Sequence, residues 1–388
     1  MNVGIVSNSP GEIAGWAIPA SVILKNLGFN VDLYLTPCMF ATKKEYDVAF
    51  RYGSFERIFT PNQTLKKIFF NPLKYEIFFH MGGEIWYSTR FKSKRLISYG
   101  WATKRLDRYF SGYLVPNDYY YRKLVSRQID EKKIIKIKDL VFEKLNPVGY
   151  NVDSNLVGFM LGSREVEFWG LLEIYLKTVP LLDMRYNFLF FVSPFVYEIY
   201  SEDLKNRIFS FGKQIMGNEF SKHFRRIRFV FNEPEKYDLL SKVKLLVTIP
   251  GTKTNEAGYL GIPQLVILPL QRPECVPIWG VVGWLDFLGI IGKKIKGYFV
   301  VKYAEKNILT RKRFISMPNI ISNEYILPEV AGVITHINLS EKINEILDNK
   351  VFLIHTSQKL RSIYKSWDNE SISFKEFIEI YCTEFNKR

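Results

Sequence analysis

Short apolar runs alternate with amphipathic stretches through the first half of the chain. Residues 2–7, 31–35, 75–79, 96–98 and 110–114 read as strands, and 13–26 carries helical spacing. The alternation breaks at Asn146-Pro147-Val148-Gly149. It restarts with strands at 156–161, 188–192, 228–231, 245–248 and 264–268, a helix from about Glu165 and a long helix ending near Met216. From Leu339 onward the pattern is helical. Strand–helix alternation of this kind predicts parallel sheets covered on both faces. Two doubly wound α/β halves meeting near residue 150, followed by terminal helices, are the simplest account. The expected domains are 1–148, 149–350 and a helical tail 351–388, the tail returning to the first domain. Ligands of such sheets sit outside the carboxyl ends of the strands, so the chemistry is expected where the two halves face a cleft.

The length of 388 residues suits two cores rather than one. With 47% hydrophobic and 24% charged residues, the chain is ordinary globular material. Lysine and arginine exceed the acids 54 to 39, a formal charge of +15, which favours anionic partners. The cations are dispersed, without a basic tail or zinc-finger spacing, so nucleic acid is not expected and an anionic membrane surface is. Cys38, Cys275 and Cys382 stand too far apart for a metal knuckle or a disulfide framework. The opening Met1-Asn2-Val3-Gly4-Ile5-Val6 reads as a strand rather than a leader, which predicts a cytoplasmic protein. The most apolar segment, 276–292, is interrupted by Pro277 and Asp286, and is expected to touch a membrane rather than cross it. Rings and cations interleave in Trp86–Arg95 and Asp118–Lys123, a mixture suited to the headgroup zone. A lipid or glycolipid acceptor at the inner face of the cell membrane would account for all three stretches.

Four short motifs carry the candidate chemistry. Ser7-Asn8-Ser9-Pro10-Gly11-Glu12-Ile13-Ala14-Gly15 joins the first strand to the first helix, with Glu12 able to hold a hydroxyl or accept a proton, or simply to favour the helix start. Leu161-Gly162-Ser163-Arg164 follows the first strand of the second half; its amides and guanidinium suit a phosphate, and equally a helix cap. Thr248-Ile249-Pro250-Gly251-Thr252-Lys253-Thr254-Asn255-Glu256 ends a strand, turns, and opens a helix, a diphosphate site with Glu256 on the face of Thr252 for sugar hydroxyls. Ser316-Met317-Pro318-Asn319 offers an amide for a base or phosphate, or a turn asparagine. No G-x-G-x-x-G is present, which argues against a nicotinamide dehydrogenase.

In this order the motifs resemble lipid-A-disaccharide synthase, whose pattern reads G-E-x-S-G-D, L-P-G-S-R, S-G-T-x-x-x-E and S-L-P-N. The resemblance implies a GT-B fold and an inverting transfer of a hexosamine-type sugar from a UDP-sugar, which is substrate and not cofactor; no D-x-D pair stands in a credible position, so no metal is expected. It places Gly162, Ser163, Arg164, Gly251, Thr252, Glu256 and Asn319 at the donor, with Lys253 adding charge. The first half departs from the pattern. Ala14 and Trp16 replace the family's serine and aspartate, and the I-D-x-P-D-F segment with its basic aspartate gives way to His80-Met81-Gly82-Gly83-Glu84. An acceptor loop of Gly11, Glu12, Gly15, Gly82 and Gly83 is expected, with the base at Glu84, then His80, then Glu12. His223 reads as surface decoration. A homo-oligomer is allowed. A sugar-nucleotide epimerase and a non-catalytic nucleotide-sugar or lipid-binding relative remain open alternatives.

Overall fold

The computed structural model describes residues 1–38, 41–70, 73–231, 233–276, 285 and 289–383. The chain forms two compact units, Met1–Lys144 with Tyr364–Arg388, and Leu145–Ile363.

The first unit is built on β1 (Asn2–Ser7), β2 (Asn30–Leu35), β3 (Arg57–Phe59), β4 (Lys74–His80), β5 (Lys92–Tyr99), β6 (Gly112–Val115) and β7 (Ile134–Lys136). All pairings are parallel and the order is β3-β2-β1-β4-β5-β6-β7. The strands read as apolar runs because both faces are covered, with Val3, Ile5, Leu33, Ile77 and Phe79 wholly buried. Aromatic residues fill one side of the sheet: Tyr34, Tyr75, Phe78 and Phe91 form one cluster, with Phe91 stacked on Phe78 at 4.4 Å. Its polar edges are satisfied. The Tyr75 hydroxyl donates to Asp32 Oδ2 at 2.6 Å, and Arg57 forks onto Asp32 at 2.9 and 2.6 Å.

The second unit contains β8 (Leu156–Met160), β9 (Asn187–Phe191), β10 (Ile227–Val230), β11 (Leu245–Thr248), β12 (Gln264–Pro269) and β13 (Glu329–Gly332). They form a second all-parallel sheet, β10-β9-β8-β11-β12-β13. Phe159, Phe188 and Phe190 centre its core, with Tyr175 of helix Glu165–Thr178 packed on Phe159 and Phe190. In each sheet the strand order reverses once, between β1 and β4 and between β8 and β11. A crevice opens at such a reversal, because the connections on either side run to opposite faces.

Three strands escaped the sequence reading. β3 and β7 are only three residues long and partly exposed, and β13 (Glu-Val-Ala-Gly) has no apolar run. At the other end of the chain, Ile372 bridges Ile137, the Trp367 indole donates to the Ile137 carbonyl at 3.0 Å, and Phe374 lies 5.5 Å from Phe79.

The two stretches expected at a membrane turn most of their rings inward. Phe91 is core, and Tyr120 lies against Trp16 and Trp101, at 6.5 and 6.3 Å between centroids. Trp86 remains exposed, stacked on Tyr87. The segment 276–292 lies largely outside the described residues. No described helix is long and apolar enough to cross a membrane. His223, expected at the surface, is buried: its Nε2 lies 3.3 Å from Glu219 and its Nδ1 accepts from Arg226 at 3.4 Å. Helix Glu219–Phe224 turns this side of itself toward the core, with Phe220 beside it.

Candidate active site

At the reversal of the first sheet, the ends of β1 and β4 are tied together. The Met81 amide donates to the Val6 carbonyl at 2.9 Å, and the Ser7 hydroxyl donates to the Met81 carbonyl at 3.3 Å. Ser9 caps the helical turn Pro10–Glu12. The Glu12 amide donates to Ser9 Oγ, and the Ser9 amide to Glu12 Oε2, both at 3.4 Å, a reciprocal capping box with proline at the first position. The helix continues through a π-helical turn, Ile13–Ala17, before resuming as Ile18–Asn26. Turns of this kind concentrate at functional sites. Gly11 and Gly15 lie within these helical turns, Gly15 buried.

Gly82 and Gly83 make the close approach. Their φ values are +146° and +82°, which favour glycine. A Cβ on Gly82 would stand 2.2 Å from Glu12 Oε2, and one on Gly83 would stand 2.6 Å from Thr36 Oγ1. The Glu12 carboxyl is thus pressed against bare backbone and shielded from water. Burial raises its pKa from 4.5 to about 7, opposed by hydrogen bonds from Ser9 and from the Gly83 amide. A carboxyl poised there can exchange a proton near neutrality.

The other two expected bases are placed differently. Glu84 is exposed, one residue beyond the glycine pair. His80 ends β4 with no exposure, and its Nδ1 lies 2.9 Å from Ser88 Oγ. Burial lowers its pKa to about 3, so it stays neutral, enclosed in the protein.

The first unit carries polar atoms that are buried and have no hydrogen-bond partner, among them Asn8 Oδ1, Thr36 Oγ1, Trp16 Nε1, Trp101 Nε1 and Asn117 Nδ2. Asn8, Thr36, Trp101 and Asn117 each lie within two residues of a strand end. Buried polar atoms are nearly always paired, so such a concentration marks a place where water or a ligand completes the set. Sequence reasoning missed Thr36, Trp101 and Asn117, and gave Asn8, inside the first motif, no role of its own. The available signal was their shared position, just past the carboxyl ends of β1, β2, β5 and β6.

The second sheet has its own edge site. Gly162, at φ +76°, turns the chain after β8. The Ser163 and Arg164 amides donate to Glu167 Oε2 at 3.3 and 3.4 Å, while Arg164 pairs with Glu167 Oε1 at 2.8 Å. A carboxylate from the same helix therefore sits where these amides present positive ends. After β11, Gly251 is exposed at φ +148°, with no atom within 4 Å of where a Cβ would stand, and helix Thr252–Tyr259 begins without a side-chain cap. Its first amides are open to an anion. Thr252 is half-buried there. Glu256 is buried and accepts from Lys253 Nζ at 2.7 and 2.8 Å. Behind them Lys236 pairs with Glu233 at 2.5 Å, and the Tyr237 hydroxyl donates to Glu233 at 3.0 Å.

Asn319, expected at the donor, lies in helix Met317–Ser322. It is fully buried, its Oδ1 accepts from the Ile326 and Leu327 amides, both at 2.9 Å, and its Nδ2 donates to the Leu327 carbonyl and to Glu329 at 2.9 and 2.8 Å. With both its amide oxygen and its amide nitrogen paired, it holds the loop. The Met317 amide, donating to Thr254 Oγ1 at 3.1 Å, joins that loop to the helix after β11. Among the described residues no group of three His, Cys, Asp or Glu side chains could hold a metal ion.

Solved structures share this architecture along nearly the whole chain. A candidate UDP-N-acetylglucosamine 2-epimerase from Listeria monocytogenes superposes with a TM-score of 0.54 at 13% identity, covering 92% of this chain and 90% of that one. MurG from Acinetobacter baumannii gives 0.50 at 10% identity, covering 95% and 98%. The fold is GT-B. Among curated proteins, this GT-B chain resembles the lipid-A-disaccharide synthase of Sulfurihydrogenibium sp. (strain YO3AOP1), with 24% identity over 240 residues. That match covers 61% of this chain and 53% of the relative, so the chain spans about half the length of the curated protein it matches. No family model matches the GT-B chain. The resemblance drawn from four ordered motifs and the likeness across 240 residues point to the same relative.

Proposed function

We propose that the protein is an inverting glycosyltransferase that moves a hexosamine-type sugar from a UDP-sugar to a hydroxyl of a lipid-linked acceptor. The observation that carries this reading is the Glu12 carboxyl, buried at the sheet reversal against Gly82 and Gly83 and poised near pH 7. Ionised Glu12 takes the proton of the acceptor hydroxyl as its oxygen bonds to the anomeric carbon. The bond from that carbon to the diphosphate oxygen breaks, and UDP departs with the electron pair. In the second unit, the open helix start at Gly251–Lys253 suits a diphosphate, and Arg164, paired with Glu167 at 2.8 Å, stands in the loop after β8. Asn8, Thr36 and Asn117 supply the polar partners that an acceptor's hydroxyls require. Glu12 is favoured over Glu84 as the base because it is buried against the glycine pair, whereas Glu84 is exposed to solvent.

Two assays test the reading. Calorimetry with UDP is expected to show micromolar-range binding, about −8 kcal/mol, weakened about tenfold or more by Arg164→Ala. UDP release from UDP-sugars is then measured with and without lipid-linked acceptors. Release that depends on acceptor supports transfer. Conversion of the UDP-sugar with no acceptor would instead make the protein an epimerase, which shares this fold. Absence of any uridine-nucleotide binding would end both readings.

A further inference from the structure

In the second unit, helix Gly289–Tyr303 and the turns after it present one face to the core and the opposite face to solvent. Gly292, Gly297, Val300, Ala304 and Ile308 point inward, where Val300, Ala304 and Ile308 cluster with Leu270 and Ala331. The outward face is not the polar surface that such a helix normally shows. It carries Ile291, Ile295, Tyr298, Phe299, Tyr303 and Leu309, with Ile291 73% and Leu309 58% exposed. Interleaved with them are seven exposed cations, Lys293, Lys294, Lys302, Lys306, Arg311, Lys312 and Arg313, against one acid, Glu305, between residues 289 and 313. A groove of about 550 Å³ runs beside the helix, between Pro273–Glu274 and Lys293, Lys294, Gly297 and Tyr298.

We infer that this face docks the protein on an anionic lipid bilayer, the helix lying flat in the headgroup plane. Aliphatic and aromatic side chains enter the acyl boundary, while lysines and arginines meet phosphates at the same depth; tyrosines suit the zone between. A second copy of the chain is a poor occupant, because two such faces would bring seven cations against seven. Nucleic acid would engage the cations but leave Ile291, Ile295 and Leu309 without partners. The inference rests on this surface alone and not on the transferase reading, so either can fail without the other.

Flotation of the full chain with vesicles tests it. Wild type is expected to float with phosphatidylcholine–phosphatidylglycerol vesicles, to stay at the bottom with pure phosphatidylcholine, and to be released by high salt. The double variant Ile295→Glu, Phe299→Glu is expected to bind about tenfold or more weakly, and Lys293→Glu, Lys294→Glu similarly, while both melt at the wild-type temperature and bind UDP as wild type does. Equal flotation of the Ile295→Glu, Phe299→Glu variant and wild type would overturn the assignment, as would wild type that never floats. A dimer seen by sedimentation in wild type and absent from that variant would also overturn it, in favour of contact between copies. UDP binding read on the same preparations reports separately on the donor site.

Discussion

Glu12→Gln is expected to lower acceptor-dependent turnover by about 10²–10⁴-fold, the range typical of losing a general base. Glutamine keeps the shape and the bond from the Gly83 amide but cannot take a proton. With the carboxyl poised at about 7, kcat/KM for wild type should rise with pH and level off above that value, and the variant should lose this limb. Stability runs the opposite way. The folded pKa lies above the unfolded 4.5, so below 4.5 the group is neutral in both states and burial carries no ionisation penalty. As pH rises from 4.5 through about 7 the unfolded chain releases its proton first, and the fold loses about 3 kcal/mol at the plateau. Urea melts at pH 4.5 and 8 should therefore show a fall in wild type that is absent from Glu12→Gln. A variant with full turnover would remove Glu12 from the chemistry, and attention would return to Glu84.

Asn319→Ala is expected to destabilise the second unit by roughly 3–5 kcal/mol. It would strand the buried Leu327 amide and carbonyl, leave the Ile326 amide with only the Glu324 carbonyl at 3.1 Å, and take one donor from Glu329. Glu329 itself accepts from the Ile315 and Ser316 amides at 3.1 and 2.9 Å and from the Ser316 hydroxyl at 2.6 Å, so the damage spreads along the loop. Asn319→Asp is not a remedy, since it would set a second carboxylate 2.8 Å from Glu329. Thermal melting of the variant with and without UDP decides between roles. A lowered Tm in both conditions is the expected result. An unchanged Tm with weakened UDP binding would mean that Asn319 reads the ligand after all.

Much of the architecture was legible along the chain. β1 and β11 begin and end where the apolar runs do, and most other strands fall within a few residues of their expected places. This worked because strands buried on both faces must be apolar throughout, a pattern that survives without homologues. β3, β7 and β13 were lost because three or four partly exposed residues need no such run. The motif loops were also legible as strand-to-helix turns, since Pro10, Gly162 and Gly251 stand where the backbone demands them.

Roles within those loops were not legible. Spacing placed Glu12, His80 and Glu84 together as possible bases, and spacing says nothing about water. Folding buries His80 at the end of its strand, leaves Glu84 in solvent, and presses Glu12 against Gly82 and Gly83, just past β4 and about seventy residues away. Asn319 was equally ambiguous until its partners came into view. The sequence by itself determined where the strands run, where each turn sits and which relative the chain resembles, because those depend on local patterning and short-range order. The tertiary structure alone decided which carboxyl is desolvated, which amide is spent on its own loop and which apolar face is left uncovered, because proton affinity and hydrogen-bond satisfaction depend on neighbours that are distant along the chain.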